Sequence, residues 1–390
     1  MKKDYDFDEI INRKNTDAVK LEEMKKIWGR TDLIPMWVAD MDFKTPDFVL
    51  QAAQRVIGHQ IIGYTTAPSE WFRSIIEWQR KVHDWEISKE MILYLPGVVP
   101  GLSIAVAAFT SPSDGVMIHQ PVYQPFSMVI RNQNRKLVNV PLILKNERYY
   151  IDFELMREKI KDCKMFFLCH PHNPSGRVWT KQELQKIAEI CEENQVLVIS
   201  DEIHADLSFK KHETFAKVSE AAKINSVTFN SASKAFNMAG FNSAYAIAPN
   251  PKICKKLKDY LQSTMLFHGH AFAYQPTISA YQNGETWLEE IKNYIQENIN
   301  FTIEFFRQNL SKIKVMRPEA SYLIWLDARE LGWSAKELNE FFVEKAGLAL
   351  NNGMSYGVEG EGFMRMNVAC PRAILEKALN QLKTAYKEIF

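Results

Sequence analysis

Four short stretches carry residues whose types could do chemistry together. Lys234 closes the run Asn230-Ser231-Ala232-Ser233-Lys234, directly behind a short apolar segment. A lysine amine withdrawn from water loses part of its proton affinity and becomes a nucleophile able to form a Schiff base, and neighbouring serine hydroxyls are donors for a phosphate. The same run is also what a solvated surface turn looks like. Asp201, in Ser200-Asp201-Glu202-Ile203-His204, ends another apolar run. An acid there is costly unless it meets a cation or donors, and either a helix N-cap or a protonated pyridine nitrogen would meet that need. His172-Asn173-Pro174-Ser175-Gly176 is a turn by composition. Pro96-Gly97-Val98-Val99-Pro100-Gly101 opens an apolar helical stretch, where glycine lets the backbone approach an anion and the free N–H groups attract it.

The elements that must position these residues alternate as βα units do. Short apolar runs at 115–120, 137–142, 164–170, 196–201, 226–231 and 244–249 predict strands. Several are apolar throughout, as burial on both faces of a parallel sheet requires. Between two of them Thr180 and Glu183 form a capping-box signature, followed by the helical stripe Leu184, Ile187, Ala188, Cys191. The turns above fall at the carboxyl ends of predicted strands, where open α/β sheets bind ligands. Towards the C-terminus, helices near 286–310, 335–345 and 372–389 flank strands at 320–327 and 363–368. A chain of 390 residues exceeds the ~250–300 at which one core usually divides. The expectation is an α/β protein: a large domain (46–285) with a mostly parallel sheet flanked by helices, and a smaller α+β C-terminal domain (286–390) packed with an N-terminal segment (1–45).

Bulk properties narrow the partners. A net charge of +1 does not suggest a polyanion-binding surface, so nucleic acid is not expected. The longest uncharged apolar run, at 97–111, contains Pro100 and is shorter than the ~20 residues of a membrane span. The N-terminus is dense in Lys, Asp and Glu and lacks the apolar core of a secretory signal. Five scattered cysteines show no zinc spacing, which suits a reducing cytoplasm; Cys169, His170 and His172 crowd together without a second ligand cluster, so no metal is expected.

Asn-Pro-x-Gly, an aspartate ending a buried strand, then SxSK about thirty residues on, resembles the fold-type I enzymes dependent on pyridoxal 5'-phosphate (PLP), the class I/II aspartate aminotransferase superfamily. The resemblance covers the whole chain and is closer to the cystathionine β-lyase-like C–S lyases. It is carried by 37–43 (Trp-Val-Ala-Asp-Met-Asp-Phe, with Ala39 placed to meet substrate), Gly63-Tyr64, 200–206, 233–237, Tyr356-Gly357 and 362–372. It implies that Lys234 anchors PLP as a Schiff base and moves protons, Asp201 pairs with the pyridinium, and Asn173 and His204 meet the cofactor's phenolate oxygen. It further implies that Tyr123 stacks on the ring and that Gly97, Val98, Ser231 and Ser233 hold the phosphate. Tyr64 would join them from a neighbouring subunit, and Arg365 would clamp the substrate carboxylate. A homodimer with shared sites follows from the role given to Tyr64.

Two departures matter. Aminotransferases of the superfamily place an arginine eight residues after the lysine, where this chain has Asn242. In addition, 12–21 matches the branch's RxGTxSxKW only at Arg13, Thr16 and Lys20, so an altered substrate side chain is expected if that segment covers the entrance. The reaction implied is α,β-elimination from L-cystathionine or a related cysteine thioether, giving a thiol, pyruvate and ammonia. Amino transfer is the enzymatic alternative, and a PLP-binding regulatory protein is the non-enzymatic one.

Overall fold

The computed structural model describes residues 5–390. Its larger sheet has seven strands: β1 (Ile92–Leu95), β2 (Gly115–Ile118), β3 (Lys136–Asn139), β4 (Cys163–Cys169), β5 (Leu197–Asp201), β6 (Ser226–Asn230) and β7 (Ala244–Ile247). Their spatial order is β1-β7-β6-β5-β4-β2-β3. β7 runs against its neighbours, pairing antiparallel with both β1 and β6. The strands β2, β5, β6 and β7 are buried at every position; β2 and β7 are apolar throughout, whereas β5 also buries Ser200 and Asp201, and β6 Ser226, Thr228 and Asn230.

Two helices beside this sheet position the strand ends and turns. α1 (Val98–Phe109) starts at Gly97 and packs on the sheet through Leu102, Ala105 and Val106. α2 (Lys181–Glu193) opens with the capping box, Thr180 Oγ1 accepting from the Glu183 N–H and Glu183 accepting in return from the Thr180 N–H. Leu184, Ile187, Ala188 and Cys191 belong to its buried stripe.

A second, antiparallel sheet has the order β8-β9-β11-β10, comprising β8 (Lys314–Met316), β9 (Leu323–Asp327), β10 (Asn351–Asn352) and β11 (Phe363–Asn367). The long helix α3 (Glu285–Asn309) and the terminal α4 (Arg372–Lys387) lie within a residue or two of the expected bounds. The stretch expected as one helix at 335–345 is α-helical only over Ala335–Asn339 and continues with π-type pairing over Glu340–Lys345. The N-terminal segment joins this part of the molecule: Ile34–Pro35 pairs in parallel with Leu348–Ala349, and the Asn367 side chain donates to the carbonyls of Val38 and Asp40 at 2.7 and 2.6 Å.

Candidate active site

The carboxyl ends of β4, β5 and β6 stand side by side, with Cys169 paired to Asp201 and Asp201 to Phe229. A cleft of about 220 Å³ opens there. Its wall includes Gly97, Val98, Tyr123, Asn173, Asp201, His204, Ser233, Lys234 and Ala39, all expected from the sequence. Cys169, Ile203 and Asn242 line it as well.

Lys234 follows β6 and lies partly buried, its Nζ donating to the Ala39 carbonyl at 2.6 Å. Burial, and secondarily the nearby Arg365 charge, pull its pKa down to about 8. A measurable share of the amine is therefore neutral at physiological pH, the form that attacks a carbonyl or accepts a proton. Asp201 is buried and accepts from the Ile203 N–H at 3.1 Å. Burial raises its pKa to about 7, partly offset by that N–H and by Lys234. A carboxyl held so close to neutrality is short of a cation in direct contact; a protonated ring nitrogen would supply one. The adjacent Glu202 is turned elsewhere, bound by Ser200 Oγ, His212 Nε2 and the Phe215 N–H at 2.8, 2.7 and 3.0 Å, and so anchors the strand end.

At the other end of the cleft, Gly97 has φ +146°, a conformation that a side chain would strain. It begins α1 with no side-chain cap, so the first N–H groups of the helix face outward with the positive end of its dipole. Ser233 lines the same cleft, so backbone and hydroxyl donors are available there to an anion. Asn242, at the position where an arginine would stand, adds no charge. Ser231 sits behind the wall: its hydroxyl donates to the Ser243 carbonyl at 2.5 Å and accepts from the Ser233 N–H at 3.0 Å. Its hydrogen-bonding capacity is thus spent shaping the turn.

His204 is 4% exposed and its Nδ1 has no partner among the described residues. Burial, reinforced by the nearby Lys234 and Arg365 charges, pulls its pKa down to about 3, so the ring is neutral. Asn173 holds the floor through its backbone, its carbonyl accepting from the Tyr123 N–H at 3.1 Å. Its side-chain oxygen accepts from Arg365 Nη1 at 3.1 Å. Arg365, on β11, donates from Nη2 to the Trp37 carbonyl at 2.6 Å and to Asn351 Oδ1 at 2.8 Å. It lies over the Tyr356 ring at 5.2 Å. All three acceptors are uncharged, and its buried Nε has none among the described residues. A buried guanidinium so placed is set to receive a carboxylate.

Tyr64 is not brought to this cleft; it is fully exposed in an irregular stretch between two helices. Residues 12–21 do not line the cleft either. Arg13 and Lys20 instead reach Asp40 and Asp42, behind Ala39. The crowded Cys169, His170 and His172 diverge: His172 Nδ1 meets Ser175 Oγ at 2.7 Å and His170 Nε2 meets the Glu213 carbonyl at 3.0 Å. The supporting residues Tyr322 and Asn351 had no sequence signal, because only tertiary folding brings them to Ala39 and Arg365.

The cleft fits PLP on its own geometry. It combines a desolvated amine, a carboxyl awaiting a cation, an uncapped helix start behind a glycine and an orphaned imidazole nitrogen. The family model for aminotransferase class I and II matches residues 31–382. Cystathionine beta-lyase PatB of Bacillus subtilis (strain 168) is 40% identical over 97% of this chain and 99% of that protein. A PLP-bound protein of Clostridium difficile 630 that bears an aminotransferase name has a TM-score of 0.96 at 42% identity, covering 98% of this chain and 100% of that one. Cystalysin from Treponema denticola, which contains PLP, also has a TM-score of 0.96, at 34% identity over 99% of this chain and 100% of its own.

Proposed function

The chain belongs to the aminotransferase class I and II family, and from that premise we propose that it is a PLP-dependent C–S β-lyase releasing thiol, pyruvate and ammonia from L-cystathionine or a related cysteine thioether. The observation that carries the reading is the Lys234 amine, its pKa drawn to about 8 by burial, sharing one cleft with Asp201. The likeness to PatB and cystalysin supports elimination over amino transfer, as does the uncharged Asn242.

When bound, PLP supplies an aldehyde that condenses with amines and a ring that accepts electron density from Cα. Lys234 would hold it covalently, Asp201 would meet the ring nitrogen, and Asn173 and His204 would face the ring oxygen. Tyr123 would cover one ring face. Gly97, Val98 and Ser233 would form the phosphate end, with Ser231 holding the turn behind them. Arg365, with Nε and one Nη1 hydrogen unengaged, would attract the substrate carboxylate and so turn the Cα–H bond towards Lys234. Lys234 Nζ then removes the Cα proton as general base and is placed to return one to the departing sulfur. Asn173 and Asn351 keep the guanidinium from swinging as this happens.

We place the enzyme in the cytoplasm as a homodimer. The five free, buried cysteines suit a reducing compartment. Among the described residues no helix is long and apolar enough to cross a membrane. Tyr64, projecting fully into solvent, suits a role in the cleft of a second copy. Incubation with L-cystathionine and an assay for pyruvate tests the function. Pyruvate should appear in proportion to enzyme; amino transfer to a keto acid without pyruvate release would overturn it.

A further inference from the structure

One buried ion cluster is not accounted for by the site above. Lys20, its side chain 1% exposed, lies 2.7 Å from Asp42 Oδ2 and 3.3 Å from Asp40 Oδ1. Arg13, 27% exposed, grips the same two carboxylates at 2.7 and 2.9 Å. Burial alone would push the Asp40 carboxyl up, but Arg13 and Lys20 together hold it below the usual range. Both carboxylates belong to segment 37–43, and nearly every other residue of that segment is also tied down. The Trp37 carbonyl accepts from Arg365, the Val38 and Asp40 carbonyls from Asn367, and the Ala39 carbonyl from Lys234 and, at 2.9 Å, from the Tyr322 hydroxyl. Asn237, three residues after Lys234, binds the Met41 and Phe43 backbone.

A single extended segment thus spans from the carboxylate-binding arginine to the proton-moving lysine. Backbone carbonyls have no preferred partner among nearby donors, so their register has to be fixed from outside. Two cations against two carboxylates, one of the cations fully buried, supply a stiff anchor at the middle of the segment.

We propose that Arg13, Lys20, Asp40 and Asp42 are a positioning cluster that holds segment 37–43 in the register by which its carbonyls set Lys234 and Arg365 relative to each other. None of the four touches substrate in this scheme; each acts through the segment. The proposal rests on the lyase reading for the tasks of Lys234 and Arg365. The charged or titratable groups facing Lys234 from the packed elements are Asp40, Asp201, His204, Tyr322 and Arg365. Of these, Asp40 is the one whose field the cluster controls, through the cations that shield it.

The test uses Arg13→Gln, which keeps the buried Lys20 pairing and therefore the fold, and Asp40→Asn. Two readouts are taken on the full chain: kcat and KM for L-cystathionine in the PLP-loaded enzyme, and the pH midpoint of Lys234 acylation by acetic anhydride in the cofactor-free protein, read by peptide mass. Arg13→Gln should raise KM about three- to tenfold, the size of a sub-ångström loss of alignment. It should move the acylation midpoint up by about half a unit, while Asp40→Asn moves it down. A lowered melting temperature with unchanged KM and unchanged midpoints would overturn the proposal and leave the cluster as scaffold only. If the wild-type enzyme released no pyruvate, the lyase reading would fail, whereas the acylation midpoints would still decide the cluster.

Discussion

Lys20 and Lys234 are two lysines drawn out of water towards adjacent carbonyls of the same segment, and they have opposite surroundings. Lys20 Nζ lies 3.4 Å from the Asp40 carbonyl with two carboxylates closing around it. Lys234 Nζ donates to the Ala39 carbonyl, and among the described residues no carboxylate pairs with it. A buried ammonium with counter-charges is a fixed strut; one without them is driven towards the neutral amine and becomes a reagent. Burial alone therefore does not mark a lysine as chemical. What marks it is burial with the compensating charge withheld.

The contrast breaks first at Lys234. Lys234→Ala should lower pyruvate release by about a thousandfold or more, because both the covalent anchor and the general base are lost; residual turnover near wild type would remove Lys234 from the mechanism. Next in size, Lys20→Met leaves Asp40 and Asp42 short of a buried partner and should cost about 3–5 kcal/mol in urea unfolding. Lys234→Met in the cofactor-free protein should cost nothing or stabilise it, since a desolvated ammonium with no carboxylate in contact is exchanged for an apolar chain of similar length. Equal losses at the two positions would mean that the contrast in their surroundings is energetically empty.

The smallest effect is a pH dependence. With the Lys234 pKa near 8, the rate at which cofactor-free protein captures PLP should rise about tenfold per pH unit below that value and level off above it. Lysine in the unfolded chain keeps its ordinary affinity of about 10.5, so between these values the unfolded state binds more protons than the folded one. The Lys234 contribution to stability therefore improves as pH rises from about 8 to about 10.5, and the Lys234→Met variant should lack that slope.

Much of the fold and of the cleft was legible in the chain because it is local. The capping box at Thr180 needs only four consecutive residues, and the strands ending at Asp201 and Asn230 show as short segments rich in β-branched and aromatic residues. The lysine, aspartate and asparagine of the cleft could be read because each follows such a run. β1 leaves little trace in the sequence: Ile92–Leu95 is four residues long, lies at the sheet edge and has no period of its own. The break to π-type pairing at Glu340 leaves no mark in a helical stripe that continues through it. Residues 12–21 match the branch motif at Arg13, Thr16 and Lys20, but the destination of the two basic side chains behind Ala39 depends on carboxylates some twenty to thirty residues away, which a local motif does not encode. Ser231 illustrates the reverse case, a hydroxyl next to the key lysine in sequence that turns to the Ser243 carbonyl in space.

The carbonyl that holds the Lys234 amine belongs to Ala39, and every amino acid carries the same group. Exchanging the methyl of Ala39 for another side chain leaves the oxygen in place, so a survey by side-chain replacement would score the position by its steric tolerance and pass over its electrostatic part. Chemical editing of the main chain reaches what mutagenesis does not. Replacing the peptide linkage between Ala39 and Asp40 by an ester, through nonsense suppression with the hydroxy acid, weakens that oxygen as an acceptor while keeping every side chain.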